Sequence, residues 1–209
     1  MTDALAAVAA QRILPVVTIE DASAALELGA ALRSAGATTV EITFRSDAAA
    51  AAIEALAADG FVVGAGTVRS VQQVEVAAAA GGVFAVSPGL DRAVVEACSR
   101  AGLAALPGVA TASELTEAIS LGIPTVKLFP AEAAGGVALI KALAGLFPDA
   151  RFVPTGGLNR ENAGSYLALP QVSAIGGSWM VAPHLLAAGD WGEVERLTRE
   201  ALALGQAEA

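Results

Sequence analysis

Residues 102–129 read GLAALPGVATASELTEAISLGIPTVKLF. A short apolar run, Leu103–Leu106, is followed by a polar opening at Thr111. A segment with helical spacing then continues to Leu121, Gly122 closes it, and a second apolar run spans Thr125–Phe129. Short apolar runs bounded by Gly and Pro predict buried strands, and the segment between them predicts an amphipathic helix. Two strands separated by a helix pair in parallel, which makes this stretch a βαβ unit.

The same unit recurs on both sides. Strands are expected at Ile13–Thr18, Thr38–Thr43, Phe61–Gly64, Val83–Val86, Leu103–Leu106, Thr125–Phe129, Phe152–Thr155 and Ser173–Ile175. Helices are expected at Asp21–Ala35, Asp47–Ala58, Ser70–Ala80, Asp91–Ala101, Thr111–Leu121 and Val137–Leu146. Asp21, Ser70, Asp91 and Thr111 are candidate N-caps. Gly36, Gly60, Gly81, Gly102 and Gly122 fall where helices end in a left-handed residue. Strands buried on both faces read as nearly continuous hydrophobic runs, as these do. Two α/β architectures fit such a pattern. A doubly wound sheet usually carries G-x-G-x-x-G after its first strand, but ILPVVTIED has no such turn. The reading is therefore a single-domain (β/α)8 TIM barrel over residues 1–209, with an extra N-terminal helix, Thr2–Gln11, covering its lower end. Barrels usually need about 250 residues, so this one is compact.

Composition narrows the function. Hydrophobic residues make up 55% of the 209 and charged residues 16%, enough apolar material for a large core. The net charge of −9 leaves no basic stripe for a phosphate backbone, so no nucleic-acid partner is expected. Every apolar run is broken by Gly, Pro or a charge before it could cross a bilayer, so no membrane partner is expected. The first residues, MTDALAAVAAQR, lack the basic start of a secretory signal. The single cysteine, Cys98, has no partner for an internal disulfide, in keeping with a reducing, cytoplasmic setting.

Barrel enzymes carry their chemistry at the C-terminal ends of strands. That rule selects Glu41, Thr43 and Arg45; Thr67; Ser87 and Pro88; Pro107; Lys127 and Phe129; Thr155, Gly156 and Gly157; and Gly176, Gly177 and Ser178. The chain has only two lysines. Lys141 follows Leu139 and Ile140 in a helix, where it can reach water. Lys127 lies within the apolar strand TVKLFP. Lysine is almost never fully buried without a partner or a purpose. Desolvation disfavours an ammonium, and a free amine attacks ketones to form imines. The alternative is a structural ion pair, for instance with Glu41.

Glu41, Thr43 and Arg45 share one face if the second strand stays extended through VEITFRS. Arg45 could then grip a carboxylate and Glu41 could carry protons, or the two could simply pair with each other. The turns FVPTGGLN and SAIGGSWM end the seventh and eighth strands, where barrels often bind phosphate. Alternatively, these are ordinary Gly-Gly turns. VGAGTV reads as a tight turn exposing Thr67 and lacks the third glycine of a dinucleotide fingerprint. With one histidine, His184, neither a Ser-His-Asp triad nor a multi-histidine metal site can be assembled easily, and no metal is expected. Cys98 reads as a mid-helix filler. Trp179, Trp191, Phe44 and Phe84 are too scattered to stack bases.

Taken in order, EITFR, GAGTV, SPG, LPGVATASE, KLFPAE, PTGG and IGGSW resemble the 2-keto-3-deoxy-6-phosphogluconate (KDPG) aldolase family, whose members are also described as 4-hydroxy-2-oxoglutarate (KHG) aldolases. The likeness runs from Ile13 to Trp179. It implies a class I aldolase on a (β/α)8 barrel, a homotrimer without cofactor or metal. The substrate implied is a small phosphorylated keto acid, split to pyruvate and glyceraldehyde 3-phosphate. KHG, split to pyruvate and glyoxylate, is a second candidate.

Carried onto this sequence, the resemblance makes Lys127 the Schiff-base amine and Glu41 the proton carrier. Arg45 and Thr67 then hold the substrate carboxylate, and Pro88, Phe129 and Thr155 line the pocket. The phosphate falls to Gly156, Gly157, Gly177 and Ser178. Ser46 stands where Thr is more usual, and Leu128 replaces a frequent Phe. Neither change touches a proposed catalytic group. The rival readings are a phosphate-binding isomerase or epimerase that works without an imine, and a non-catalytic barrel scaffold.

Overall fold

Side-chain caps start three of the helices where the sequence places them. In a computed structural model describing residues 3–207, Ser70 accepts from the Gln73 N–H, Asp91 from Ala93 and Val94, and Thr111 from Glu114. These bonds satisfy N–H groups that have no partner within the helix. Asp21 instead accepts from Ser23 and opens a 3₁₀ turn, Ala22–Ala24, that runs into the helix. The chain beyond Asp47 becomes helical only at Ala49.

The helices are α1 (Asp3–Gln11), α2 (Ala25–Ser34), α3 (Ala49–Ala58), α4 (Val71–Ala79), α5 (Arg92–Ala101), α6 (Ala112–Ser120), α7 (Ala131–Ala134), α8 (Gly136–Leu146), α9 (Arg160–Leu167), α10 (Pro183–Ala188) and α11 (Trp191–Ala207). Thr2, the expected first residue of the N-terminal helix, lies outside the described residues. Helices α7, α9, α10 and α11 add to those expected.

The strands are β1 (Ile13–Val17), β2 (Thr39–Thr43), β3 (Val62–Gly66), β4 (Phe84–Val86), β5 (Ala104–Leu106), β6 (Gly108–Val109), β7 (Thr125–Leu128), β8 (Arg151–Pro154) and β9 (Ile175–Gly177). They form a six-stranded sheet, β5-β4-β3-β2-β1-β9, and a three-stranded sheet, β6-β7-β8. Every pairing is parallel. The result is an α/β domain of TIM-like form. β5 and β6 are one extended run divided at Pro107, which has no N–H to give the ladder. Its carbonyl still accepts from Lys127 N at 2.9 Å. Isolated parallel bridges link Phe152 to Val172 and Thr155 to Gly176.

Three expected strand boundaries change, two of them for a packing reason. The fifth strand runs beyond Leu106 to Val109. The third strand runs beyond the expected Gly64 to Gly66, and the turn read over VGAGTV begins only at Thr67, φ +57°. Gly176 and Gly177 likewise lie in β9. A Cβ on Gly64 would overlap the Phe84 ring, and one on Gly177 would overlap the Trp179 ring. These glycines are spaces that neighbouring side chains fill.

Alternation along the strands separates two apolar layers. Val40, Ile42, Val126 and Leu128 are fully buried against the helices. Leu14, Phe84, Val86, Leu106 and Val153 form an inner cluster that also takes Leu5 and Val8 of α1. Between α1 and β1, Arg12 adopts φ +66°. Its guanidinium donates to the Val172 carbonyl at 2.7 Å and to the Leu167 carbonyl at 2.6 Å. Charge-assisted bonds of this kind contribute about 2 kcal/mol. Arg12→Ala should therefore lower unfolding free energy by about that amount, read as a lower urea midpoint at unchanged m-value.

Candidate active site

Strands β2 and β7 each place one ionisable side chain inward. Lys127 is 5% exposed and Glu41 1%. The Lys127 Nζ stands 3.7 Å from Glu41 Oε1 and 4.9 Å from the centroid of the Phe129 ring. The position of Glu41 depends on Gly66 of β3, whose Cα pairs across from Thr43, because a Cβ on Gly66 would overlap the Glu41 carboxylate.

The separation bears on the two readings of Lys127. At 3.7 Å the pair attracts but does not hydrogen-bond, and Glu41 Oε1 is buried without a hydrogen-bond partner. A buried ion pair repays its desolvation only with close geometry and further hydrogen bonds. This pair has neither, so it is poorly built for a structural role. It suits a site where an incoming polar group completes the bonding.

A cavity of about 200 Å³ opens at the same strand ends. Of the expected site residues, Arg45, Phe129, Thr155, Gly156, Gly157, Gly177 and Ser178 line it. Lys127 and Glu41 lie outside its lining, and Phe129, which lines it, is the ring that faces the Lys127 amine. Gly156 and Gly157 turn with φ of +97° and +80°. A Cβ on Gly156 would sit 3.2 Å from the Phe129 ring, and one on Gly157 would sit 2.7 Å from Glu132 Cβ. Backbone can approach a ligand closely there, as no side chain could. Ser178 is exposed at the mouth and leads into a 3₁₀ turn, Trp179–Val181.

Arg45 reaches the cavity by a route other than the one expected. β2 stops at Thr43, and the Arg45 N–H bonds back to the Thr43 carbonyl at 2.8 Å. Arg45 therefore leaves an exposed turn and does not share an extended face with Glu41. Thr67 and Pro88 are half-buried and stand outside the cavity lining. Pro88 packs its carbonyl on Gly108, the strand partner of Lys127. Ser87 is spent on the Gly89 carbonyl at 2.7 Å. Val16 of β1 and Thr18, just beyond its end, also line the cavity, as do Leu158, Val181 and Pro183. Thr18 was readable as a polar residue ending an apolar strand.

Among the described residues no group of three His, Cys, Asp or Glu side chains converges as metal ligands. No helix among them is long and apolar enough to cross a membrane. His184 is exposed in α10, and Lys141 is exposed in α8. Cys98 is buried in α5, and desolvation pushes its thiol up to about 11, which suppresses the reactive thiolate.

A buried amine beside a carboxylate, at the strand ends of a TIM-like fold, defines an aldehyde-lyase of the Schiff-base class. The KDPG and KHG aldolase profile matches residues 5–197, and the chain belongs to that family. A 2-dehydro-3-deoxy-phosphogluconate aldolase of Treponema pallidum is 45% identical over 193 residues, 91% of this chain and 92% of its own. The KDPG aldolase of Legionella pneumophila, solved with pyruvate captured as a covalent carbinolamine, superposes at TM-score 0.91 with 38% identity, covering 95% of this chain and 97% of that one. The Zymomonas mobilis enzyme, solved with 3-phosphoglycerate, gives 0.91 with 36% identity over 99% and 98% of the two chains.

Gly66→Ala tests the geometry of the pair. The added methyl must displace the Glu41 carboxylate. Misplacing a catalytic group by about 1 Å costs on the order of 100-fold. KDPG cleavage should fall in kcat by about that factor, in a steady-state assay that follows pyruvate release.

Proposed function

We propose that this chain is a class I aldolase that cleaves KDPG to pyruvate and glyceraldehyde 3-phosphate through a Schiff base on Lys127, and that it also cleaves KHG to pyruvate and glyoxylate. The observation that carries the reading is the Lys127 amine, buried beside Glu41 with the carboxylate oxygen unpartnered.

The reaction proceeds through balanced steps. The neutral Lys127 amine adds to the C2 ketone to give a carbinolamine. The carbinolamine takes up a proton, through Glu41 or solvent, and loses water to leave a protonated imine; that proton is returned when the imine is hydrolysed at the end. Glu41, directly or through water, takes the C4 hydroxyl proton. The C3–C4 bond breaks, its electron pair passes to the imine, and the aldehyde departs. The enamine left on Lys127 takes a proton at C3, and hydrolysis releases pyruvate and restores the amine. The carbinolamine of the Legionella enzyme is the first species of such a sequence.

Arg45 and Thr67 are assigned the substrate carboxylate. Pro88, Phe129 and Thr155 form the pocket wall. Gly156, Gly157, Gly177 and Ser178 take the phosphate. For Thr67 and Pro88 the assignment rests on the family resemblance, and for the others their place on the cavity supports it. The bound 3-phosphoglycerate of the Zymomonas relative supports a phosphorylated ligand. The proposed architecture is one closed (β/α)8 barrel over residues 1–209, supported by the bridge from Thr155 to Gly176 and the bond from Lys127 to Pro107. Helix α1 covers its lower end, as the packing of Leu5 and Val8 supports. By resemblance the enzyme is a cytoplasmic homotrimer that needs no cofactor.

Borohydride reduction in the presence of pyruvate should add mass at Lys127, and Lys127→Ala should lose both the adduct and at least ~1000-fold in kcat/KM. An active protein that gives no adduct would be an imine-free isomerase or epimerase. Removing the substrate phosphate should lower kcat as well as raise KM, because remote binding energy positions the reacting carbons.

A further inference from the structure

One polar side chain on the cavity has no role in the reaction described above. Thr18 lines the cavity at the C-terminal end of the first strand. It is half-buried, and its Oγ1 lies 2.8 Å from Thr43 Oγ1. Thr43 is 1% exposed and stands two residues beyond Glu41 on β2, facing the same way. Among the described residues Thr18 is the hydrogen-bond partner of the Thr43 hydroxyl.

Two hydroxyls joined by one hydrogen bond use only one of their two protons. A buried donor left unmade is costly, so the buried Thr43 donates and Thr18 accepts. The Thr18 proton is then left for the cavity, with its oxygen fixed in place by Thr43.

The substrate offers a matching group. Its C2 carbon goes to Lys127, its C4 hydroxyl to Glu41 and its C6 phosphate to the Gly156–Gly157 turn. The C5 hydroxyl lies between these anchors and has no assigned partner. Thr18 enters the cavity from the first strand, while Phe129 and the glycine turn enter from the ends of β7 and β8. Thr18 also borders a second hollow, of about 240 Å³, that carries Glu20 and Asp21. Those carboxylates repel a phosphate, so the phosphorylated end runs towards the glycines.

We propose that Thr18, oriented by Thr43, is a specificity-determining residue that donates a hydrogen bond to the C5 hydroxyl of the substrate and so favours KDPG over KHG, which has no such hydroxyl. The proposal rests on the aldolase reading above.

The test is the ratio of kcat/KM for KDPG to that for KHG. Thr18→Val, which keeps the shape and removes the hydroxyl, should lower the ratio about tenfold. Thr18→Ser, which keeps the hydroxyl, should hold it within about twofold of wild type. The 5-deoxy analogue of KDPG provides a second route that needs only the wild-type protein. Wild type should discriminate against it about tenfold, and Thr18→Val should discriminate little. An unchanged ratio in Thr18→Val, or a loss in Thr18→Ser equal to that in Thr18→Val, overturns the proposal. So does wild-type indifference to the 5-deoxy analogue. Pyruvate trapping on wild-type Lys127 separates the two levels, since its failure sinks the aldolase reading and its success leaves the ratio to judge Thr18 alone.

Discussion

An amine and a carboxylate held near each other, out of water and just beyond hydrogen-bonding range, are the constraint on which the rest depends. Closer contact would tie the two charges together and quench the nucleophile. Wider separation would leave two uncompensated buried charges. The backbones that carry the two groups belong to strands, and the side-chain tips stand 3.7 Å apart. Lys127 comes from β7, Glu41 from β2, and β3 adds a glycine so that the carboxylate fits. The pair thus rises from the sheets, while the Gly156–Gly157 turn that lines the cavity lies in the segment that follows β8.

Local charge also answers a difficulty of the composition. A protein of net charge −9 repels an anionic substrate at long range. The cavity replaces bulk charge with placement. It holds one guanidinium, from Arg45, and hydroxyls and glycine turns where backbone can come close to an anion. Short-range contacts can outweigh the overall field because that field is screened beyond about 8 Å at physiological salt.

The repeat of strand and helix was legible in the sequence, since burial on both faces of a parallel sheet leaves a long apolar signature, and most helix caps were legible because their chemistry is local. Lys127 stood out because lysine is rare in this chain and conspicuous within an apolar strand. What escaped was three-dimensional. The turn that removes Arg45 from the Glu41 face depends on where β2 loses its neighbour. The glycines of β3 and β9 look like turn residues until the Phe84, Glu41 and Trp179 side chains that occupy their space are seen. Thr18 was visible as a strand-end hydroxyl, but its importance comes from Thr43, twenty-five positions away. The short fifth strand reflects Pro107, which interrupts the ladder without ending the extended chain.

The Arg12 junction binds parts of the chain that lie far apart in sequence. Its guanidinium holds carbonyls at Leu167 and Val172, and a Cβ on Gly205 would sit 2.8 Å from its own. A ribosome releases the amino end first, and domains fold as units as they emerge. Here one side of the first strand pairs with β2, the next strand, while its other side pairs with β9, far along the chain. A growing polypeptide thus stays open along one edge of β1 until β9 has been made, and a chain stalled before that point would present the unsealed edge to chaperones and proteases.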